Sequence, residues 1–381
     1  MLTLTWDQVR ARRLACNHLV HRVPGSRLLD VVGEVCGIQA QVMSASEFAI
    51  GARVEGLTPK LIRGELWERR SLVKTYGPRG TLHLLPAREL PMWMAAMRAV
   101  PNHQGTMWYA LAGLSRAQLD QLVAATRDAL DGRQLTREKL ASEVAARVGS
   151  WAQERLRPIW GEMLGPAAIS GALCFGPSRG ANVTFARADQ WIGGWRDEDS
   201  HAAILQVLRR FISAYGPARP QEFARWFVTK PANAASLFSE LADELVPVDV
   251  EGQAAWMMAA DSGDHFEEAR DMVNLVPQYD SFVFGSRPRE QLLTEDVHKR
   301  IRSYRRGRFE GAVALSTLLV NGRVAGIWER RVFVRRVEVS VEPIITLTPR
   351  QLKSLDAEVA RVGEFYSREA SLKIGPLVAS G

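Results

Sequence analysis

Cysteine is scarce in this chain, and the few cysteines present are poorly placed for cross-linking. The 381 residues include Cys16, Cys36 and Cys174, an odd number spread far apart. Secreted domains held together by disulfides need paired cysteines, so a reducing compartment is indicated. Cys16 lies near His18 and His21, but only the two histidines share a helical face and the sequence offers no fourth ligand. We expect no disulfide framework and no metal site.

Long apolar runs are absent as well. No unbroken hydrophobic segment reaches the roughly 20 residues that cross a bilayer, and the stretch Met1 to Asp7 lacks the basic and then apolar pattern of a secretory signal. A hydrophobic content of 46% with 24% charged residues is typical of a globular protein. The length indicates two to four domains. We expect a cytoplasmic monomer that has no membrane contact and no cofactor.

Acidic residues are too few to balance the basic ones. Lysine and arginine total 49 against 42 aspartates and glutamates, which gives a net charge of +7. The excess is mostly arginine, whose planar fork matches the oxygens of a phosphate. This balance favours an anionic partner, with nucleic acid first. Most of the 11 tryptophans are expected in the core or at domain interfaces, with few left to stack on bases.

The chain carries an unusual polar pair within an apolar segment. Gln39 and Gln41 flank one alanine after a valine-rich run that begins at Val31. Primary amides are costly to bury without partners, so the two are expected to face something polar. Residues two apart lie on the same side only where the chain is extended, so the preceding helix must end near Ile38 if both amides act on one ligand. On local grounds alone, the simpler interpretation is that they cap a helix end or face solvent.

Helical and β patterns alternate through the first 270 residues in a rhythm typical of winged helices. Each set has helices followed by two short strands, and basic turns join the first two pairs of strands, at Pro78 to Gly80 and at Pro177 to Gly180. We predict an α+β fold with three tandem winged helices at 1–112, 113–196 and 197–270. The predicted helices run from Thr5 to about Val23, Arg27 to the glutamines, Ser44 to Val54, Thr58 to Glu68, Ser115 to Leu130, Thr136 to Val148, Arg157 to Ser170, Asp199 to Tyr215, Gln221 to Val228 and Ala232 to Glu244. The predicted strand pairs are 71–76 with 81–85, 172–175 with 181–185, and 245–250 with 254–258.

From residue 271 the pattern becomes β. Asn321-Gly322 between apolar alternations is a strong hairpin signal. We predict a β-rich region at 271–381, either β-barrel-like or a curled sheet, closed by a helix from Pro349 to Tyr366. The predicted strands include 274–277, Ser281 to Phe284, 311–315, 317–320, 323–328 and 330–340.

The densest basic segment lies between two of these strands. Lys299 to Arg308 holds six cations in ten residues, with one tyrosine among them. One interpretation is a solvated loop, and the other is a hairpin that contacts nucleic acid. The candidate DNA contacts in this segment are Arg302, Arg305, Arg306 and Arg308.

Six short segments occur in an order that resembles one protein family. Each is weak alone, but together they cover nearly the whole chain and resemble the AlkZ family of bacterial DNA glycosylases. The resemblance implies tandem winged helices in a C-shaped clamp around DNA, in agreement with the repeated pattern. The segments are Ile38-Gln39-Ala40-Gln41, Pro78-Arg79-Gly80-Thr81-Leu82-His83, Leu173-Cys174-Phe175-Gly176, Tyr215-Gly216-Pro217-Ala218 followed by Phe223-Ala224-Arg225-Trp226, Pro277-Gln278-Tyr279-Asp280, and Val320-Asn321-Gly322-Arg323 through Trp328.

The resemblance also implies a function. The family has a catalytic motif of two polar residues around an apolar one, and the branch that unhooks crosslinks has glutamine at both positions, as at Gln39 and Gln41. This implies hydrolysis of the N-glycosidic bond of N7-alkylguanine in double-stranded DNA, including interstrand crosslinks, and self-resistance to a DNA-alkylating natural product such as azinomycin B. No lysine stands out as a Schiff-base nucleophile, so a monofunctional glycosylase is expected.

Further DNA-binding residues are expected in the predicted wings. Arg79, His83 and Arg179 are the candidates, with His83 expected as a core or DNA-backbone histidine rather than a catalytic one. Asp280 is interpreted as a structural or supporting carboxylate. Two alternative functions remain, namely a non-catalytic winged-helix DNA-binding or transcription-regulatory protein and a glycosylase for intercalating guanine monoadducts.

Overall fold

The computed structural model describes residues 2–100, 113–157, 164–263, 268–302 and 315–377. The helices of this part are α1 (Trp6–Cys16), α2 (Leu28–Glu34), α3 (Met43–Gly51), α4 (Pro59–Trp67), α5 (Leu90–Arg98), α6 (Arg116–Ala129), α7 (Arg137–Val148), α8 (Trp151–Leu156), α9 (Leu164–Ile169), α10 (Ala188–Ile192), α11 (Ser200–Tyr215), α12 (Pro220–Phe227), α13 (Pro231–Glu240), α14 (Ser281–Gly285), α15 (Glu295–Arg302) and α16 (Pro349–Tyr366). The strands are β1 (Leu2–Leu4), β2 (Ile38–Gln39), β3 (Leu72–Tyr76), β4 (Leu82–Pro86), β5 (Leu135–Thr136), β6 (Cys174–Arg179), β7 (Asn182–Ala186), β8 (Leu245–Val250), β9 (Gln253–Met258), β10 (Val273–Val276), β11 (Thr317–Val320), β12 (Arg323–Val332), β13 (Arg336–Pro343) and β14 (Glu369–Ile374).

Capping residues explain where several helices begin. Thr5, Ser115 and Thr348 each accept a hydrogen bond from the backbone N–H three residues further on, and the side-chain oxygen of the glutamine there accepts one from the backbone N–H of the capping residue. Helix α4 begins at Pro59, as predicted from the Thr58-Pro59 pair. These local signals place the helix starts within one or two residues of the predicted positions.

Packing divides the chain into two units. Unit 1 contains Met1–Ile62, Arg209–Glu222 and Phe238–Gly381, and unit 2 contains Arg63–Leu208 and Phe223–Leu237. The mixture of helices and separate small sheets confirms the α+β class. The three winged helices, their boundaries and their C-shaped arrangement stay predictions. In the described ranges, no helix is both long enough and apolar enough to span a membrane.

Unit 1 contains two sheets. In the first, β8 pairs in parallel with β1 and antiparallel with β9. The second has five strands in sequence order from β10 to β14, and all of its pairs are antiparallel except β13 with β14. The predicted β-rich C-terminal region is therefore confirmed as a five-stranded sheet. Its helix-facing core includes Leu14, Phe282, Ile301, Leu319 and Ile327.

Unit 2 is built on two small β structures and the helices around them. The predicted hairpin is present, because β3 and β4 pair antiparallel from Leu72 with Pro86 to Tyr76 with Leu82. The second predicted hairpin is also present, with β7 between β5 and β6. A continuous core that includes Leu122, Leu173 and Phe185 packs beneath them.

The structure corrects several element predictions. Ser281 to Phe284 is not a strand but lies in helix α14, because the Asp280 side chain accepts from the Phe282 N–H and caps a helical turn. The periodicity of a run of only four apolar residues cannot distinguish a strand from a buried helix. Helix α1 ends at Cys16 rather than near Val23, since His18 takes a left-handed conformation with φ of 53°.

Two further predictions are corrected in part. The segment predicted as one helix from Arg157 to Ser170 contributes α9, and α8 ends just before it, while 158–163 lie outside the described residues. The basic run that begins at Lys299 starts as the last turn of α15, so Arg302 ends a helix instead of opening a hairpin. Arg305, Arg306, Arg308 and most of the predicted strand at 311–315 lie outside the described residues.

Candidate active site

The glutamine segment follows a tight reversal of the chain. Helix α2 ends at Glu34, and Cys36 and Gly37 then take left-handed conformations with φ of 62° and 86°. The Gly37 N–H donates to the Val32 carbonyl at 2.8 Å, which closes the helix end. Ile38 and Gln39 are extended, so the helix ends before the glutamines, as their joint action would require.

The two glutamines differ in exposure. Gln39 is buried, with 5% of its surface exposed, whereas Gln41 is exposed. Ala40 between them is fully buried. Of the two amides, Gln41 is thus the one open to solvent in the free protein, and Gln39 is the one held by its surroundings. That both amides address one substrate stays a prediction.

Two buried hydroxyl groups hold the carbonyls of the reversal. The Tyr215 hydroxyl donates to the Val35 carbonyl at 2.8 Å, and the Ser281 hydroxyl donates to the Gly37 carbonyl at 3.0 Å. Each bond satisfies a backbone acceptor that would otherwise be costly to bury. The donors come from α11 and α14, so the segment leading into Gln39 is tied at two points to the rest of unit 1.

A buried ion pair supports the second of these points. Arg53 donates to both oxygens of Asp280, at 2.8 and 2.7 Å, and both side chains are fully buried. Asp280 also accepts from the Phe282 N–H at 2.9 Å and so starts the helix that carries Ser281. Burial by itself lowers the pKa of Arg53, but the Asp280 carboxylate more than offsets this and raises it. The contacts form a chain from Arg53 through Asp280 and Ser281 to Gly37.

Arg79 and His83 lie together at the β3–β4 hairpin. Arg79 has a left-handed φ of 66°, and its guanidinium donates to the Trp226 carbonyl at 3.3 Å. His83 is buried, and burial followed by the charge of Arg79 lowers its pKa to about 3. The neutral ring must then donate from Nδ1 to the Thr81 carbonyl at 2.9 Å and accept at Nε2 from Arg79 at 3.3 Å. His83 therefore orients Arg79, and its contact with DNA stays a prediction.

The remaining predicted DNA-binding residues are spread over other elements. Arg179 is exposed at the tip of the β6–β7 hairpin, next to Gly180, which has φ of 61°. Arg302 is the last residue of α15, and the other three candidates of its run, Arg305, Arg306 and Arg308, lie outside the described residues. The described ranges hold no group of three or more His, Cys, Asp or Glu side chains that could bind a metal ion. His18 instead pairs with Glu34, with Nε2 and Oε2 2.6 Å apart.

Sequence reasoning overlooked an exposed hairpin in the C-terminal sheet. Strands β12 and β13 pair from Gly326 with Pro343 to Val332 with Val337, and they project the tip residues Phe333, Val334 and Arg335. Val334 is 84% exposed and Phe333 is 41% exposed. The signal available in the sequence is the short apolar run Val332-Phe333-Val334 with two arginines on each side.

Three comparisons with known proteins agree on the relationship. The family model for AlkZ-like DNA glycosylases matches residues 32–365. The chain is 31% identical over 370 residues to the interstrand DNA cross-link repair glycosylase of Streptomyces sahachiroi, covering 94% of this chain and 95% of that protein. The solved structure of the Streptomyces sahachiroi DNA glycosylase AlkZ matches with a TM-score of 0.86 and 28% identity, covering 98% of this chain and 100% of the other. The chain therefore belongs to the AlkZ-like DNA glycosylase family and is a DNA glycosylase.

Proposed function

We propose that this enzyme hydrolyses the N-glycosidic bond of N7-alkylguanine in double-stranded DNA and unhooks interstrand crosslinks, with Gln39 and Gln41 as its catalytic pair. The observation that carries the proposal is the anchoring of the segment before Gln39 by buried Tyr215 and Ser281. Catalytic groups need such support to hold a productive geometry. The similarity to a cross-link repair glycosylase agrees with the crosslink part of the proposal.

The chemistry requires little acid or base catalysis. Alkylation at N7 makes guanine cationic, so the C1′–N9 bond breaks with its electron pair neutralising the departing base. An oxocarbenium-like sugar remains, and a water oxygen attacks C1′ and releases a proton to solvent. Glutamine amide oxygens orient that water and stabilise the positive sugar without changing protonation state. An aspartate at the second position would add charge and base strength, so its absence at Gln41 restricts the enzyme to labile cationic adducts.

The roles of the two amides follow their exposure. Gln41 is exposed and is the amide that first meets water and DNA. Gln39 is buried beside the anchored turn and supplies a fixed dipole. The enzyme has no nucleophilic amine in this pair, so it acts as a monofunctional glycosylase that leaves an abasic site.

DNA binding is assigned to basic hairpins. Arg79, positioned by His83, and Arg179 contact the backbone from the hairpins of unit 2. The β12–β13 hairpin, with its apolar Val334 tip, has the composition of a wedge that enters a groove and partly unstacks base steps. A crosslinked guanine is tied to the opposite strand and cannot be rotated freely into a deep pocket, so access along a groove suits such a substrate. Protection of an organism against its own DNA-alkylating product, such as azinomycin B, is the biological role we propose.

The test is excision from two defined duplexes, one with a single N7-methylguanine and one with an N7-guanine interstrand crosslink. Strand scission should appear only after heat or alkali, with the wild-type protein. Gln39→Ala and Gln41→Ala should excise at least 100-fold more slowly while retarding DNA normally. Gln121→Ala, which removes an exposed amide on α6, is the matched control.

The outcomes separate the possible functions. Wild-type excision rates in both glutamine variants would refute the catalytic assignment. Retardation without any scission by the wild-type protein would favour a non-catalytic DNA-binding protein. Excision of the monoadduct without crosslink unhooking would restrict the substrate to monoadducts.

A further inference from the structure

A cavity of about 390 Å³ opens on unit 1 beside the stem of the β12–β13 hairpin. Residues of β12, among them Trp328, Glu329 and Arg330, line one side of it. Ser44 from α3, Tyr366 from α16 and the polar side chain of Gln278 line the rest. The volume falls within the roughly 300–1,000 Å³ of sites that bind small ligands or parts of larger ones.

Arg330 is held in one orientation at the wall of this cavity. Its Nε donates to the Tyr366 hydroxyl oxygen at 2.6 Å, and its Nη2 donates to the Ser44 carbonyl at 2.8 Å. The guanidinium also lies 5.2 Å from the ring centre of Phe48 and 5.5 Å from that of Trp328. An arginine side chain loses rotamer entropy when it is immobilised. These contacts have already met that cost before any ligand arrives.

The charge of Arg330 is not balanced by a carboxylate. Other arginines of unit 1 form close ion pairs, such as Arg209 with Glu244 at 2.6 Å and Arg300 with Glu342 at 2.7 Å. Arg330 forms no ion pair with any residue that the structure describes, and its Nη1 keeps both N–H groups available there. Glu329 also lines the cavity, but it is exposed and lies beyond ion-pair distance. An oriented cation without a counter-charge is suited to an anion.

Neutral donors of the same cavity favour a tetrahedral anion. Ser316 contributes a hydroxyl whose oxygen already accepts from the Gln278 N–H at 3.2 Å, so its proton is available. Ser44 belongs to the first turn of α3, where Val42 provides no side-chain cap, and the helix end adds a partial positive charge. We propose that this cavity binds a phosphate group of the DNA backbone, with Arg330 as its principal donor. Contacts with phosphates fix the register of a protein on DNA.

Some residues that line the cavity lie close in sequence to the two glutamines, so a phosphate bound there would affect catalysis. Helix α3 starts two residues after Gln41, so a phosphate held by Arg330 and Ser44 sets the damaged strand relative to the glutamines. This consequence depends on the proposed function, whereas the phosphate site itself does not. The test therefore uses binding to an undamaged duplex, in which no bond is cleaved.

The experiment combines salt dependence with neutral phosphate analogues. The affinity of wild-type protein and of Arg330→Gln for the duplex is measured by fluorescence anisotropy between low and physiological salt. Loss of one phosphate contact should make the slope of log affinity against log salt shallower by about 0.9. Arg209→Gln removes a cation that Glu244 already balances, so it should leave the slope unchanged. Arg330→Lys keeps the charge and should restore most of the slope, which separates electrostatic loss from misfolding.

A scan of single methylphosphonates along each strand then locates the contact. At one position the neutral linkage should weaken the wild-type protein about tenfold and leave Arg330→Gln unaffected. A scan in which wild-type and Arg330→Gln respond alike at every position would overturn the proposal. Competition by inorganic phosphate that depends on Arg330, together with a flat scan, would assign the cavity to free phosphate and also overturn it. If no excision were seen in the separate activity assay, the outcome of this scan would be unaffected.

Discussion

Replacing Asp280 by asparagine tests the link between the buried ion pair and the glutamine segment. Asparagine has nearly the same shape, so the cavity left behind is minimal. It keeps one oxygen to accept from Arg53 and from the Phe282 N–H, but it loses the negative charge and one of the two bonds to the guanidinium. Arg53 then remains as a fully buried cation without a counter-charge.

The expected cost follows from that uncompensated charge. Removing one partner of a buried ion pair destabilises a protein by about 3–5 kcal/mol, and the retained oxygen of asparagine places Asp280→Asn near the lower end. For a unit of roughly 150–250 residues, each kcal/mol lowers the thermal midpoint by about 2–4 °C, so a decrease of about 6–12 °C is expected. Because the Asp280 oxygen that accepts from the Phe282 N–H also accepts from Arg53, loss of the charge should shift this oxygen and loosen the bond from Ser281 to Gly37. A displacement of the catalytic group on the ångström scale slows a reaction by about 10- to 100-fold.

The two effects are measured separately. Thermal unfolding followed by circular dichroism reports stability, and single-turnover excision of N7-methylguanine at a temperature well below the transition reports activity. Asp261→Asn is the matched control, because Asp261 also pairs with a buried arginine, Arg12, at 2.5 Å, and that arginine bonds the Gly216 carbonyl rather than the turn that carries Ser281. It is 27% exposed, so solvent relieves part of the loss and its midpoint should fall less.

Three results would count against the reasoning. An unchanged midpoint for Asp280→Asn would show that the buried charge of Arg53 does not depend on this carboxylate. A lower midpoint with wild-type excision would show that the ion pair stabilises unit 1 without positioning the glutamines. A similar loss of excision in Asp261→Asn would point to a general effect of destabilisation.

Three further predictions concern single contacts. Ser281→Ala and Tyr215→Phe each leave a buried carbonyl without its donor and should cost about 1–3 kcal/mol, measured by thermal unfolding, with slower excision in both. In the folded chain the pKa of His83 is lowered to about 3 from an ordinary 6.5, so the unfolded chain takes up a proton first as the pH falls. Between pH 7 and pH 5 the wild-type protein should therefore lose about 2 kcal/mol more stability than His83→Gln, as urea titrations at each pH would show. Gly51→Ala would drive a methyl group into the ring of Phe365 and should lower stability by about 1–3 kcal/mol, whereas Gly56→Ala, which meets no neighbour, controls for loss of glycine although its φ of 69° carries its own strain.

Local signals in the sequence predicted much of the fold. The Thr58-Pro59 pair, the Asn321-Gly322 turn and the Pro349 helix start were all placed correctly, because each depends on the conformational preference of one or two residues. Alternating apolar residues likewise located the hairpins at 72–86 and 174–186. Such features need no knowledge of distant parts of the chain.

The long-range contacts that hold the candidate site in place could not be predicted from such local signals. Arg53 and Asp280 are 227 residues apart, and Tyr215 and Val35 are 180 apart, so no local pattern connects them. An aspartate directly before an apolar run at 281–285 is a helix-cap signal, and weighing it would have replaced the predicted strand by α14. The burial of His83 also depends on tertiary packing. The alternation of residues in β4 indicates which face of the strand His83 lies on, but not that this face is covered.

The buried ion pair is better explained by the residues that it positions than by the stability that it adds. A buried pair such as Arg53 and Asp280 contributes little net stability compared with well-packed apolar residues, because both charges lose their hydration. Its specific effect is to fix the turn that carries Ser281 and, through it, the Gly37 carbonyl. A glutamine amide cannot be tuned by protonation, so under the proposed mechanism its contribution depends on placement alone. Under that mechanism the precision must come from the scaffold, and the polar network of Arg53, Asp280 and Ser281 before Gln39 is suited to supply it.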